Sequence, residues 1–256
     1  TLGGVSTATS SQPTRWRRGA LGSALLTLLL VTACTSPDET AEPPGVDGTD
    51  RELSFEVGQD QVYATFTAPH DGGDDEVPGA LIISGSGPTD RDGNSDLRPE
   101  ANTNLNMSRV LTELGVASLR YDKLGSGETG FGSYDPDEPI DPRVFEDQVV
   151  AAYEELLAQP EVDPERTVVL GHSEGALYAL RLHDMLPEAS PAVVLAAPPG
   201  TRYMDLIDRQ LTEQVRIAEA AGGLGEYESV NLLSDARAAR AAIRQGHTLP
   251  KDLDAA

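Results

Sequence analysis

Gly171-His172-Ser173-Glu174-Gly175 places a serine between two glycines at G-x-S-x-G spacing. The pentapeptide follows the apolar run Thr167-Val168-Val169-Leu170 and precedes Ala176-Leu177-Tyr178, so it falls on a strand-to-helix turn. Such a turn exposes the serine hydroxyl, and the helix start aims N–H groups and its positive dipole end at whatever the hydroxyl attacks. Gly171 and Gly175 are small enough for the helix to pass close to the strand. The chemistry that suits this arrangement is nucleophilic attack on a carbonyl. An earlier turn, Ser84-Gly85-Ser86-Gly87-Pro88, follows the apolar run Ala80-Leu81-Ile82-Ile83. That is where a backbone N–H can meet the negative oxygen that the attack creates.

These two turns need a sheet to hold them. Residues 51–57 (RELSFEV) and 61–67 (QVYATFT) alternate polar and apolar side chains around Gly58-Gln59-Asp60, which predicts a hairpin. Residues 80–83, 116–121, 167–170 and 192–195 are short apolar runs without strict alternation, as expected of strands covered on both faces. Helical periodicity lies between them. Met107, Val110, Leu111 and Leu114 form one predicted apolar face, Phe145, Val149, Tyr153, Leu156 and Leu157 a second, and Ala176, Leu177, Leu180 and Met185 a third. Strands alternating with helices imply an α/β class, with a mostly parallel sheet and helices on both faces. Residues 201–244 read as wholly helical, broken at Gly222, Gly223 and Gly225.

The G-S-G-P turn continues into Thr89-Asp90-Arg91-Asp92-Gly93-Asn94, and a later segment reads Arg120-Tyr121-Asp122-Lys123-Leu124-Gly125-Ser126-Gly127. With the Ser173 turn, these residues resemble the α/β-hydrolase superfamily, in particular bacterial serine hydrolases and esterases. Ser84 stands where that group usually has His. The resemblance implies Ser173 as nucleophile, the backbone N–H groups of Ser86 and Glu174 as oxyanion donors, a small-molecule acyl or ester substrate and no cofactor. A serine nucleophile disfavours the superfamily's dehalogenase and epoxide hydrolase branches.

A serine needs a base, and in this superfamily the acid and the histidine follow it in sequence. His183 lies ten residues along the helix, about 15 Å away at the helical rise per residue. His172 should point away from the turn, His70 precedes it in a loop, and His247 follows no strand pattern. No acid or base is assigned. The expectation is that residues 52–200 are the N-terminal part of the hydrolase core and residues 201–256 an incomplete helical cap, the last strands and the rest of the triad lying beyond Ala256. Three functions stay open: a serine hydrolase, a catalytically inactive lipoprotein of the same fold, and an acyltransferase.

Two other patterns mislead. Gly125, Gly127 and Gly130 spell G-x-G-x-x-G after a strand, but the next residues, Phe131 to Pro139, cannot open the helix a dinucleotide needs. Asp90, Asp92, Asn94 and Asp96 are spaced like a calcium loop, yet Ser95 and Ala101 stand where that loop requires Gly and Glu. They read as a solvated turn, and no metal site is expected.

The N-terminus is an address. Arg15, Arg17 and Arg18 precede the 15 uncharged residues Gly19 to Ala33, too short to span a bilayer. Leu30-Val31-Thr32-Ala33-Cys34 resembles a bacterial lipobox, which implies a signal peptide over 1–33, lipid on Cys34 and an extracytoplasmic protein whose only membrane contact is that anchor. Secretion is the alternative. Residues 34–51 are Pro, Thr and acid-rich and read as a flexible tether. The whole chain of 256 residues carries 19 Lys+Arg against 42 Asp+Glu, a net charge of −23, which excludes nucleic acid as a partner. No feature fixes an oligomeric state.

Overall fold

The computed structural model describes residues 48–69, 76–96, 98–138, 140–189 and 191–247. The signal segment 1–33, Cys34, the tether up to residue 47 and His70 lie outside the described residues.

Among the described residues a six-stranded sheet has the order β1-β2-β4-β3-β5-β6. The predicted hairpin is present: β1 (Gly48–Val57) and β2 (Asp60–Pro69) pair antiparallel through the two-residue turn Gly58-Gln59. β1 starts at Gly48 rather than Arg51, so residues 48–51 of the expected tether belong to the sheet. Thr67 and Thr65 on β2 donate their hydroxyls to Asp50 and Glu52, which ties the acidic start of β1 down. β2 pairs antiparallel with β4 (Ala117–Tyr121), and β4, β3 (Val77–Ile83), β5 (Val162–His172) and β6 (Ala192–Ala196) run parallel. β5 is longer than the run Thr167–Leu170 that marked it. Its pairing with β3 jumps from Asp163 to Thr167, so the added residues are an irregular lead-in.

Three helices cover this sheet: α1 (Thr103–Glu113), α2 (Arg143–Leu157) and α3 (Gly175–Met185). Alternation along β4 divides them between its faces. Ala117, Leu119 and Tyr121 enter the hydrophobic core with Val149, Ala152, Tyr153 and Leu156 of α2 and Ala179 and Leu182 of α3. Each fully buried large side chain there contributes about 1.5–3 kcal/mol. Ser118 and Arg120 point the other way, toward α1: the Ser118 and Ser108 hydroxyls lie 2.7 Å apart.

That second face overturns one expectation. The buried residues of α1 are Asn104, Ser108 and Thr112, while Val110 and Leu114 of the predicted apolar face are 56% and 72% exposed. The sheet opposite presents Thr67, Ser118 and Arg120, and a polar stripe satisfies these groups where an apolar one would strand them. On α3 the buried stripe is Ala176, Ala179 and Leu182, and the predicted Leu180 is exposed. The α2 face is as expected apart from Phe145 and Leu157, which are half-buried.

After β6 come α4 (Tyr203–Ala220) and α5 (Glu226–Arg244), a helical hairpin closed by ion pairs from Arg240 to Asp208 and Arg244 to Asp205. No helix among the described residues is long and apolar enough to cross a membrane. Among the described residues β6 is an edge strand paired only with β5, and Val193, Val194 and Leu195 are all more than a third exposed. An apolar edge of this kind templates pairing with another chain. The 256-residue protein should therefore self-associate with rising concentration, and Val194→Lys should raise the monomer fraction in sedimentation velocity. A wild type that stays monomeric would contradict this.

Candidate active site

Ser173 sits where β5 hands over to α3, with φ 52°. The left-handed region is costly for a residue with a Cβ and persists only where its surroundings enforce it. Here the Ser173 N–H donates to the Ala196 carbonyl at 2.8 Å, anchoring the turn to the end of β6. Its own carbonyl accepts from Ala176 N–H at 3.1 Å, which starts α3. Ser173 is thus fixed from both sides.

The two glycines of the pentapeptide are close-approach positions. A Cβ on Gly171 would lie 2.4 Å from the Gly175 carbonyl oxygen, and one on Gly175 would lie 2.4 Å from the Ile83 carbonyl oxygen. The second contact also brings the start of α3 against the end of β3, where the Ser84–Pro88 turn begins. A Cβ on Gly85 would meet the Ser173 Cβ and His172 Nδ1, each at 3.3 Å. The two turns singled out in the sequence therefore touch. Glu174 directly precedes α3, so its N–H is among those that a helix leaves without an intrahelical acceptor. No acceptor among the described residues bonds to the N–H of Glu174 or of Ser86.

Ser84, which replaces the resemblance's His, is buried, and its hydroxyl accepts from Asn104 Nδ2 at 2.7 Å. A side chain from the first turn of α1 thereby steadies the base of the turn.

The two motif loops are structural. Asp122, with 1% of its side chain exposed, accepts from Arg91 N–H at 2.6 Å, Arg91 Nη2 at 2.9 Å and Glu128 N–H at 2.9 Å. Burial alone would lower the Arg91 pKa, but its bonds to Asp122, Glu128 and Glu52 hold it above the ordinary value. Gly127, at φ 52°, lets the chain cross Asp122: a Cβ there would lie 2.2 Å from the carboxyl carbon. The calcium-like residues form an Asx turn, with Asp90 Oδ1 accepting from the N–H groups of Asp92 and Asn94. Among the described residues no cluster of acids, His or Cys is arranged to hold a metal. The Gly125–Gly130 segment closes on itself through Gly125 N–H to Gly130 O, and Thr129 accepts from Tyr63 N–H.

Two residues that the sequence reading did not single out reach the site. Lys123 Nζ lies 2.7 Å from the Gly85 carbonyl oxygen and 3.4 Å from Glu174 Oε2, and the Tyr203 hydroxyl donates to Glu174 Oε1 at 2.7 Å. Burial and the Glu174 carboxylate hold the Tyr203 phenol above its ordinary range. A lysine two residues past a fully buried strand was the available signal.

The histidines are not assembled around Ser173. His183 is exposed, with Nδ1 3.4 Å from the Ala189 carbonyl, and His247 is exposed past the end of α5. His172 packs beside Gly85 as a half-buried ring, and burial lowers its pKa. Among the described residues no histidine or carboxylate is hydrogen-bonded to the Ser173 hydroxyl.

No family model and no curated protein matches the chain. Solved structures do. An esterase from Pyrococcus furiosus is 17% identical, with 78% of this chain and 66% of that one covered at a TM-score of 0.50. A hypothetical protein from Pseudomonas aeruginosa is 19% identical, covering 74% and 61% at 0.49. A dienelactone hydrolase from Anabaena variabilis is 21% identical, covering 64% and 68% at 0.46. The chain spans about six-tenths of the length of the first solved structures it matches. The sheet order, the serine on its strained strand-to-helix turn and the likeness to the Pyrococcus esterase together make this an α/β-hydrolase fold.

Proposed function

We propose that the chain is a serine hydrolase that cleaves ester or related acyl bonds of small molecules through an acyl-enzyme on Ser173, anchored to the cell envelope by lipid on Cys34. The observation that carries the reading is the contact between the strained Ser173 turn and the Gly85 turn. It brings the Gly85–Ser86 peptide against Ser173, and among the described residues neither the Ser86 N–H nor the Glu174 N–H has an acceptor, which supports their role as oxyanion donors.

In this reading Ser173 Oγ bonds to the substrate carbonyl carbon and the carbonyl π pair moves onto oxygen, where the two N–H groups receive it. The carbonyl re-forms, the bond to the leaving alcohol breaks, and the alcohol takes the proton that Ser173 gave up. Water then attacks the acyl-enzyme, releasing the carboxylic acid and returning a proton to Ser173. One such donor is worth about 3 kcal/mol in enzymes of this type. The proposal places the proton carrier outside the described residues.

The absence of a hydrogen-bonded base around Ser173 among the described residues favours a second reading, an inert envelope protein of the same fold. One experiment separates them. A fluorophosphonate probe should label the wild-type chain in the membrane fraction, Ser173→Ala should abolish labelling and ester hydrolysis, and Cys34→Ser should move the labelled protein to the soluble fraction. No labelling of the wild type sinks the hydrolase reading and leaves the inert one.

A further inference from the structure

Lys123 follows β4 at the mouth of the site and is 4% exposed. A buried ammonium is expensive unless its donors are satisfied. Its contacts are the Gly85 carbonyl at 2.7 Å, Glu174 Oε2 at 3.4 Å and the face of Phe145, with 5.1 Å to the ring centroid. Burial lowers the lysine pKa, and Glu174 opposes that by favouring the charged form.

The Gly85 carbonyl is not an arbitrary acceptor. It belongs to the same planar peptide as the Ser86 N–H, and in a trans peptide the two point in opposite directions. Holding the oxygen therefore fixes where the N–H points. The second contact reaches the residue that carries the other N–H: Glu174 is held by Lys123 on one carboxylate oxygen and by Tyr203 on the other. Lys123 thus bridges the two turns, bonded to the Gly85 carbonyl on one and to the Glu174 carboxylate on the other, with Tyr203 on the far carboxylate oxygen.

From this bridge we infer that Lys123 is a positioning residue. Its ammonium clamps the Gly85–Ser86 peptide and the Glu174 side chain, so that the N–H groups of Ser86 and Glu174 converge on the oxygen bound at Ser173. The inference rests on the proposed roles of those two N–H groups. A competing role is charge balance, in which Lys123 only neutralises the partly buried Glu174.

The test compares Lys123→Met, Lys123→Arg and Lys123→Met/Glu174→Gln with the wild-type chain. Two readouts are taken: the rate of fluorophosphonate labelling at Ser173, and the NMR resonances of the Gly85 carbonyl carbon and Ser86 amide. Methionine fills the stem's space without a donor. Lys123→Met should slow labelling about 10²-fold, the scale expected when a reacting group is misplaced by about 1 Å. It should also shift the Gly85 and Ser86 resonances while leaving the Leu81 to Ile83 amides in place. Removing the glutamate charge as well should not restore the rate. Wild-type labelling by Lys123→Met, unmoved Gly85 and Ser86 resonances, or full rescue by the double variant would each overturn the inference. If Lys123→Met does not fold, Lys123→Arg carries the comparison, because it keeps a cation beside Glu174 but replaces the point donor at Gly85. Should the wild type fail to label, the hydrolase reading falls, while the resonances still decide whether Lys123 sets the peptide.

Discussion

Asp122→Ala is expected to destabilise the protein by about 3 kcal/mol, read as a lower urea midpoint at unchanged slope. The carboxylate is buried and accepts from two backbone N–H groups, of Arg91 and Glu128, and from the Arg91 guanidinium. Removing one partner of a buried pair costs about 3–5 kcal/mol, because the other charge stays behind. Arg91 keeps Glu52 and Glu128, both largely exposed, so the lower end of that range applies. Asp122→Leu combined with Arg91→Met should recover only part of the loss, since the Arg91 and Glu128 N–H groups still lack an acceptor. Gly127→Ala supplies an internal check. With Asp122 in place, the added Cβ meets the carboxyl carbon at 2.2 Å, whereas once the carboxyl group is gone only the backbone strain at φ 52° remains. The glycine change should therefore cost less in the Asp122→Ala background. A cost below about 1 kcal/mol for Asp122→Ala would mean that the carboxylate is replaceable by water. The effect should also reach the chemistry, because Asp122 holds the loop that carries Lys123.

The sequence made the site's backbone legible better than its side-chain network. G-x-S-x-G between a buried run and a helical pattern was enough to place Ser173, and the G-S-G turn after β3 was found from the same strand-then-glycine logic. Both signals are local. The clamp that joins the turns is not: Lys123 is 38 residues from Gly85 and 51 from Glu174. No periodicity reveals such a pairing. Helix α1 shows a different failure. Its periodicity fits an apolar face through Met107, Val110 and Leu114, and the i, i+4, i+8 series Asn104, Ser108, Thr112 fits equally well. Hydropathy chooses the first, but the buried guanidinium of Arg120 decides for the second, because its bonds to Thr67 on the sheet and Ser108 on the helix draw on polar neighbours from both layers. The histidine question stayed open for a related reason. A base is defined by approach in space, and none of the described histidines is hydrogen-bonded to Ser173.

Gly175→Ala and Gly171→Ala should each cost about 3 kcal/mol and reduce Ser173 labelling in parallel. Overpacking a tight core costs about 1–3 kcal/mol, and the upper end applies where the obstacle is main chain rather than a side chain that can rotate. Both positions meet main chain. The new methyl at 175 would face the Ile83 and Ser84 carbonyl oxygens at 2.4 and 2.6 Å, and that at 171 the Gly175 carbonyl oxygen and Ala176 Cα at 2.4 and 2.5 Å. Relief requires α3 to move away from the sheet. The strained Ser173 turn is anchored at one end to Ala196 on β6 and at the other to Ala176 on α3, so that movement pulls directly on Ser173. One displacement of α3 relieves both clashes, so the double variant should cost clearly less than the sum of the two, a coupling expected of residues sharing one gap. Gly200→Ala is the control: a Cβ there meets nothing within 4 Å, and the change should stay within about 0.5 kcal/mol of wild type. Additive costs at 171 and 175 would show two independent clashes and remove the argument that one helix position serves both. Normal labelling in either variant would show that the turn keeps its geometry without the close packing of α3.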